Sequence, residues 1–421
     1  MNPAPVPLNG PRFLADPAEL YRELRREHGA VASVLLDGDI PAWLVLGYRE
    51  LHQVTGDPVL FSRDSGLWNQ WERVPDDWPL LPVIGRGQPS ILYTVGEHHR
   101  ERAAMVSDAL EAVDAFELRT LAERFADELI DAVCAKGATD LVADYAALLP
   151  VRVLATLYGF ADEQGPGLVA ALNDMVDGQE GAIAGQLHVA AAMAHLVADR
   201  AARPADDVVS RMLARGHAGG RAGGRGGGAA GGFTHEEITQ DLMVMMAAGH
   251  QPTADWIGNS LRLMLTDERF AASLFGGRRS VAEAMNEVLW EDTPTQNVAG
   301  RWAARDTRLG GQAVLAGDLL LLGLQAANHD PQVRTHSSAL TGGNSAHFSF
   351  GHGEHRCPFP AQEVAEVIAR TAIEVVLDRL PDIDLAIPAK SLTRRPSPWL
   401  RGLTSLPVRF TPAPPLGGTR T

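Results

Sequence analysis

The feature that most constrains this chain is the stretch FSFGHGEHRCPFPAQEVAEVIAR, residues 348–370, in which a glycine-rich loop with one cysteine runs directly into a helical pattern. Gly351 and Gly353 allow the tight backbone turns that bring amide groups close to a sulfur atom. The helix expected after Pro358 places the positive end of its dipole beside Cys357. A cysteine in such surroundings is suited to act as a thiolate.

Four kinds of cysteine fit this pattern on the loop residues alone. A zinc site would need further cysteines or histidines at ligand spacing, and Cys134 is the only other thiol. A cysteine protease would need a charged His–Cys pair, which the loop does not exclude. A cofactor ligand would benefit from His355 and Arg356, which can donate to anionic groups. A cysteine that is merely buried is the fourth reading.

Composition narrows the class of protein. The chain has 421 residues, of which 45% are hydrophobic and 21% charged, as in a soluble protein with a large core. Its net charge of −15 argues against nucleic acid as the main partner. No apolar run is long enough for a membrane helix, and the first residues lack the pattern of a signal peptide. Two cysteines are typical of a reducing compartment, so we expect a cytoplasmic protein.

The periodicity predicts a mainly helical chain with small strand regions. Residues 17–29 predict a short helix stopped by Gly29, and an Asp-Gly turn after VASVLL predicts a β-hairpin. Residues 98–265 are mainly helical in pattern, interrupted at 215–233 by a glycine-rich segment that predicts a flexible loop. A capping box of Thr234 and Glu237 then opens a long apolar helix. The proline- and glycine-rich tail, 411–421, predicts a frayed end.

The register of Phe350, Gly353, His355 and Cys357 resembles the haem-binding loop of cytochromes P450. GEHHRERAAMVSDAL resembles the third-helix segment of that family, VAGRWAA resembles its arginine-bearing strand, and RGLTSLPVRF resembles its last strands. The similarity covers roughly residues 12–410. It implies a single domain over residues 1–421 with the cytochrome P450 fold: mainly α with small β-sheets, a helix-rich lobe and a smaller β-rich lobe around a buried haem.

The resemblance also implies roles for individual residues. Cys357 would be the thiolate ligand of the iron of haem b (iron protoporphyrin IX), with Phe350 packed beside it. The two haem propionates, which are unfavourable to bury alone, would be neutralised by four residues: His98, Arg102, Arg301 and His355. The full set of implied cofactor-binding residues is Cys357, Phe350, Gly351, His355, His98, Arg102, Arg301, Ala248 and Gly249.

Three positions depart from the family pattern. In the family's Glu-x-x-Arg helix, Glu287 is present but Trp290 stands where the arginine belongs, and the stretch before the cysteine loop contains no partner arginine. We expect Trp290 to replace the buried ion pair by packing, since replacing a whole ionic set by apolar contacts can be neutral. Phe359 stands where the family has glycine and would lie near the proximal face of the porphyrin or the neighbouring helix.

The most consequential departure is in the central helix. Where the family has an acid and a threonine that deliver protons during oxygen activation, AAGHQPT places Gln251 and Pro252. Gln251 cannot carry a proton as a carboxylate does. Pro252 removes a helical N–H, which frees the carbonyl of Ala248 and predicts a kink over the iron. Thr253 is then the hydroxyl expected near the iron, and Thr253 and Gln251 are the candidate catalytic residues.

The resemblance therefore predicts a haem-thiolate monooxygenase of bacterial secondary metabolism that oxidises a small organic molecule with dioxygen. Electrons would come from ferredoxin and ferredoxin reductase, with Arg356 and Arg100 near the docking face of an acidic carrier. The altered helix leaves open a haem protein that binds a ligand or assembles with partners with little turnover. A peroxide-driven peroxygenase is a third reading, although no arginine occurs between Thr234 and Ser260 to hold a substrate acid.

Overall fold

The computed structural model describes residues 4–10, 12–13, 16–160, 165–177, 181–219, 232–267, 270, 279–333 and 344–417. Within these ranges the α-helices, numbered here in chain order, are α1 Pro17–His28, α2 Tyr48–Gly56, α3 Leu81–Ile84, α4 Gly96–Glu111, α5 Ala115–Asp131, α6 Leu149–Tyr158, α7 Gly165–Asp177, α8 Ala182–Ala202, α9 Val208–Gly219, α10 His235–Thr266, α11 Arg279–Glu291, α12 Leu324–Asn328 and α13 Ala361–Arg379.

Short strands form three sheets. The strands are β1 Val6–Pro7, β2 Val31–Leu36, β3 Ile40–Val45, β4 Phe61–Ser62, β5 Ala138–Asp140, β6 Asn297–Ala303, β7 Thr307–Leu309, β8 Gln312–Val314, β9 Leu319–Gly323, β10 Asp384–Leu385 and β11 Pro407–Arg409. Six of them form one mixed sheet in the order β1-β2-β3-β9-β6-β4, β10-β11-β5 form a second sheet, and β7 pairs with β8. The first sheet matters for function because it brings β4 beside β6.

The long helix α10 runs through the larger of the hydrophobic cores. Thr234 caps its start and Glu237 closes the capping box, as the sequence predicts. Ile238, Leu242 and Met246 are buried on the face that meets the other helices. A helix with apolar residues on most sides belongs inside a protein, and α10 contacts α6, α8, α11 and α13.

A second core lies under the six-stranded sheet and contains the tryptophans of the loop after β4. Trp68 and Trp78 are buried with their rings 5.9 Å apart, and the half-buried Trp71 packs edge-on against Trp68 at 4.7 Å. The indole N–H of Trp78 donates to the carbonyl of Asp37 at 3.0 Å. These aromatic rings stabilise the β-rich lobe.

Two predictions about irregular segments need correction. The predicted loop at 215–233 is helical in its first part, because α9 continues to Gly219 and Arg215 Nε donates to Asp108 at 2.6 Å; residues 220–231 lie outside the described ranges. The predicted frayed tail is held from residue 411 to 416. The N–H of Ala413 donates to Cys134 O at 3.0 Å and that of Leu416 to Asp131 at 3.0 Å.

Within the described ranges, no helix is both long enough and apolar enough to span a membrane.

Candidate functional site

The loop before Cys357 has the tight backbone that its glycines predict. Gly351 and Gly353 have φ angles of 73° and 76°, in the left-handed region that favours glycine. A Cβ on Gly353 would lie 2.2 Å from the carbonyl oxygen of Thr55, so a side chain cannot fit there. The N–H of Cys357 donates to Phe350 O at 2.8 Å, which closes the loop.

The surroundings of Cys357 are more apolar than the sequence suggests. Burial raises the pKa of the Cys357 thiol to about 11, so the loop by itself does not produce a thiolate at neutral pH. The ring of Phe350 packs edge-on against Trp256 of α10 at 5.8 Å. Helix α13 begins at Ala361, close behind the cysteine. A sulfur in this position binds a metal only with loss of its proton, which the metal itself favours.

Beside this loop, buried cationic side chains meet without an enclosed carboxylate. Arg301 on β6 is 1% exposed, and its Nε and Nη1 have no hydrogen-bond partner among the described residues. Both ring nitrogens of the half-buried His355 also lack one. The ring of His99, from α4, stacks on His355 at a centroid distance of 3.9 Å.

Arg63, just after β4, completes this group. It is 5% exposed, and its Nη1 donates to Ala299 O at 2.9 Å and Gly300 O at 3.1 Å. Its Nε has no partner among the described residues. We call Arg63, His99, Arg301 and His355 the open cluster.

The pKa values of Arg63, Arg301 and His355 are lowered, which shows that burial and mutual repulsion disfavour their charged forms. Burial lowers the pKa of Arg63 to about 10, and burial together with the charge of Arg63 lowers the pKa of Arg301 well below its usual value. Burial, and then both arginines, lower the pKa of His355 to about 2. The nearest counter-charge acting on Arg301 is Glu354, whose carboxylate lies 3.5 Å from the exposed Arg100. Two buried guanidiniums beside a thiol therefore fit a haem with two propionates.

The other two residues predicted to hold the propionates are placed elsewhere. His98 is half-exposed and its Nε2 lies 3.2 Å from Glu237. Arg102 is completely buried, and its Nε donates to Asp241 Oδ2 at 2.8 Å. Its Nη2 also donates to the carbonyls of Pro89 and Glu237. Carboxylates of α10 therefore contact both residues, while Nη1 of Arg102 has no hydrogen-bond partner among the described residues. The role of His98 and Arg102 at the propionates stays a prediction.

The segment of α10 with the altered motif presents a narrow exposed stripe. Ala248 is exposed in the middle of an otherwise buried helix, and Pro252, one turn later, is half-buried. The helix continues through Pro252 to Thr266, so the predicted kink does not interrupt it. Because Pro252 has no N–H, the carbonyl of Ala248 lacks its usual helical donor. We call Ala248 and Pro252 the exposed stripe. It offers the carbonyl oxygen of Ala248 as a hydrogen-bond acceptor, surrounded by apolar surface.

The neighbouring positions point away from this stripe. Thr253 is 2% exposed and lies about 100° around the helix from Pro252, so its side chain faces the protein interior and not the stripe. Gln251 is buried, and its Nε2 donates to Asp255 Oδ1 at 3.0 Å. A Cβ on Gly249 would lie 2.9 Å from Leu154 of α6, so this glycine permits close helix packing.

Trp290 is buried as predicted. Its Nε1 donates to Asn344 O at 2.9 Å and its ring meets His347 edge-on at 5.7 Å. Burial lowers the pKa of His347 to about 4, so this ring is neutral at pH 7. The buried indole therefore packs against a neutral imidazole.

Three residues near the cysteine loop differ in their surroundings. Phe359 is 55% exposed, so the predicted packing on the proximal side is corrected. Arg356 is exposed. Arg100 pairs with Glu97 at 2.7 Å and with Glu354 at 3.5 Å, which compensates the charge expected for docking.

The sequence reasoning missed Arg63 and His99. His98 and His99 are adjacent, and the motif alone does not show which of the two faces His355. Arg63 stands at the end of an apolar strand in LFSRDS, where a buried cation is a signal in itself.

Comparisons with known proteins agree with the fold. No protein-family model matches the chain. It is 27% identical over 409 residues to Cytochrome P450 107B1 of Saccharopolyspora erythraea, covering 94% of this chain and 96% of that protein. It is 26% identical over 383 residues to the Polyketide biosynthesis cytochrome P450 PksS of Bacillus subtilis, covering 88% and 89%. The structure of CYP154C4 from Streptomyces sp. W2061 superposes with a TM-score of 0.86 at 27% identity, covering 99% of this chain and 100% of that one.

These relatives span nearly the whole chain, and the fold matches theirs. The chain has the cytochrome P450 fold and is similar along nearly its whole length to bacterial cytochromes P450.

Proposed function

We propose that this protein is a haem b-dependent monooxygenase of bacterial secondary metabolism, with Cys357 as the thiolate ligand of the iron. It would oxidise a small organic molecule with dioxygen and electrons from ferredoxin and ferredoxin reductase. The observation that carries the proposal is the position of Cys357 on a closed glycine loop beside two buried arginines that lack an enclosed carboxylate. The two free cysteines suit a cytoplasmic location.

The residues of the chain divide the work of holding the cofactor. A thiolate-ligated haem supplies the chemistry of dioxygen activation. Cys357 would supply the sulfur, while Arg301 and His355 would donate hydrogen bonds to propionates. Phe350, packed on Trp256, would keep water from the sulfur. The exposed stripe of α10 would face the substrate.

Proton supply is the step in which this chain differs from its family. Neither Ala248 nor Pro252 has a side chain that can donate a proton. The carbonyl of Ala248, without its helical N–H, can hold a water molecule on the stripe. We infer that protons reach the reaction through such water or through a hydroxyl of the substrate.

The electron donor would dock near the cysteine loop. Arg356 is exposed there, whereas Arg100 is neutralised by Glu97 and Glu354. Arg356 and the exposed ring of Phe359 together offer a cation beside an apolar surface, which suits an acidic carrier.

The test of the haem assignment compares the two cysteines. Cys357→Ala should abolish the red-shifted absorbance band of a thiolate-ligated carbon monoxide complex, because no other thiol adjoins the open cluster. Cys134→Ala is the matched control and should retain the band, since Cys134 is buried in the helical core. A band that persists in Cys357→Ala, or wild-type protein that never binds haem, would show the assignment to be wrong.

The apolar stripe of α10 favours a second candidate, a haem protein that binds a ligand with little turnover. The two candidates differ in the fate of electrons supplied by a surrogate ferredoxin system. A monooxygenase converts part of the consumed NADPH into oxidised substrate. If only peroxide forms with a broad set of tightly bound ligands, the ligand-binding function is the correct one.

A further inference from the structure

We propose that Arg63 is a cofactor-binding residue of this chain, and that its guanidinium and that of Arg301 together hold a propionate of the haem. This inference rests on the proposed haem assignment. It adds Arg63 to the residues that the resemblance implies for the propionates.

The sheet brings Arg63 to this position. Strand β4 pairs antiparallel with β6 through Phe61–Ala303 and Ser62–Trp302, so the next residue, Arg63, lies alongside the first half of β6. The register of β6 shifts between Val298 and Arg301. Nη1 of Arg63 donates to the carbonyls of Ala299 and Gly300 inside this irregularity, immediately before Arg301. The two arginines are thereby fixed next to each other.

A bound anion would satisfy the donor atoms of Arg63 and Arg301 that have no partner among the described residues. Both arginines are more than nine-tenths buried, and Nε of each has no partner among the described residues. The charge of Arg63 also acts on Arg301 and contributes to lowering its pKa, which shows that the two guanidiniums lie close enough to repel each other. Buried charges of one sign are unfavourable unless an opposite charge joins them. A carboxylate that accepts from both arginines removes the repulsion and satisfies the free donors.

The arginine on α4 has a single free donor, because only its Nη1 lacks a hydrogen-bond partner among the described residues. Arg102 is bound by Asp241, whose other oxygen also accepts the N–H of Ile91 at 2.8 Å. Freeing Arg102 would leave a buried carboxylate without its counter-ion, which is strongly unfavourable. Arg63, just after β4, supplies a further donor without disturbing that pair.

A purely structural role for Arg63 makes a different prediction. Its two bonds to carbonyls of β6 could simply brace the irregular strand. A brace would act equally on any porphyrin, whereas a propionate ligand acts only on a charged carboxylate. Haem whose two propionates are esterified separates the two roles.

The experiment measures loss of cofactor from the holoprotein to an excess of apomyoglobin. Arg63→Met should release haem roughly 10–100-fold faster than wild type, the effect of losing a hydrogen bond to a charged group. Arg301→Met is the positive comparator and should act in the same direction. The exposed Arg308, which donates to Gly311 O at 3.2 Å away from the cluster, provides the matched control, and Arg308→Met should lose haem at the wild-type rate.

The same proteins loaded with haem dimethyl ester complete the test. Wild type and Arg63→Met should then lose the cofactor at equal rates, and with ordinary haem the reduction potential of Arg63→Met should shift to more negative values, because a nearby cation has been removed. Equal acceleration with both porphyrins and an unchanged potential would overturn the role of Arg63 while leaving the haem assignment intact. Wild-type protein without a thiolate-type carbon monoxide band would overturn the haem assignment itself.

Discussion

Two buried arginine sites in this protein have opposite charge arrangements. Arg102 of α4 meets Asp241 of α10 in an ion pair from which solvent is excluded, so the polypeptide supplies both charges. Among the described residues, Arg63 and Arg301 have no enclosed carboxylate. A balanced pair can be buried for stability alone, whereas two unbalanced cations are unfavourable unless an opposite charge joins them. The first arrangement satisfies its charges within the polypeptide, and the second is the one that we propose as a propionate site.

Trp290 provides a third arrangement, in which an indole is buried where the resemblance expects an arginine. The family places an ion pair here, and this chain buries an indole whose N–H donates to Asn344 O. The three sites therefore contain a balanced ion pair (Arg102 and Asp241), two cations without an enclosed carboxylate among the described residues (Arg63 and Arg301), and an uncharged indole (Trp290). Each arrangement should respond differently when one side chain is removed.

The largest effect is expected from breaking the balanced pair. Arg102→Met leaves Asp241 buried without its partner, which should lower the free energy of unfolding by about 3–5 kcal/mol. Urea unfolding followed by far-ultraviolet circular dichroism measures this loss. The double variant Arg102→Met/Asp241→Leu removes both charges and should recover most of it.

The open cluster supplies the contrast to that experiment. Arg301→Met leaves no carboxylate unpaired, so it should weaken haem retention more than it weakens the fold. Equal losses of unfolding free energy in Arg102→Met and Arg301→Met would show that the distinction between the two sites is wrong.

Truncating Trp290 should have a similar or slightly smaller effect. Trp290→Ala removes a buried ring, with an expected loss of roughly 3–5 kcal/mol in the free energy of unfolding. Trp290→Phe retains most of the packing and removes the bond to Asn344, which contributes about 0.5–1.5 kcal/mol. Trp290→Arg should not restore stability, because the stretch before the cysteine loop contains no arginine to complete the family's ionic set. A Trp290→Arg protein as stable as wild type would contradict the packing role.

A fourth site, with one carboxylate among three arginines, sharpens the comparison through pH. Burial alone would raise the pKa of Asp292, but Arg394, Arg401 and Arg262 outweigh it and lower the pKa to about 2. A carboxyl whose folded pKa lies below its unfolded value of 3.8 stabilises the fold fully above about pH 4. That stabilisation is lost as the pH falls towards 2. The difference in unfolding free energy between wild type and Asp292→Asn should therefore shrink over this range, and a constant difference would contradict the assignment.

The smallest effect is expected at Thr253. Because its side chain is buried off the exposed stripe, Thr253→Val should leave the ratio of product to peroxide unchanged. Pro252→Thr places a hydroxyl on the stripe itself and should raise that ratio, by up to the 10²–10⁴ typical of a positioned proton donor. The measurement is NADPH consumed, peroxide formed and product formed with one substrate. Uncoupling in Thr253→Val would restore the role first predicted for its hydroxyl.

The sequence predicted the elements well where pattern and capping agree, as in the helix opened by Thr234 and Glu237. It also predicted the glycine turns before Cys357, because positive φ angles there require glycine. It did not predict the carboxylate that reaches Arg102 from α10, 139 residues away, because a motif gives only the spacing of a cation. It did not predict that Thr253 lies off the exposed stripe, because a shift of one position rotates a helical side chain by about 100°. Arg63 was missed because its partners lie on β6, 236 residues further along the chain.

The uninterrupted course of α10 through Pro252 has a consequence for how this chain relates to its family in genetic terms. Codons for proline and threonine differ at a single base, as do those for glutamine and glutamate. The backbone at residues 251 and 252 is already helical, so both side chains of the family's acid–alcohol pair are two point mutations away and require no rebuilding of the helix. The change in proton chemistry is therefore reversible in small steps, and a selection for coupled turnover could recover it from random single-base variants.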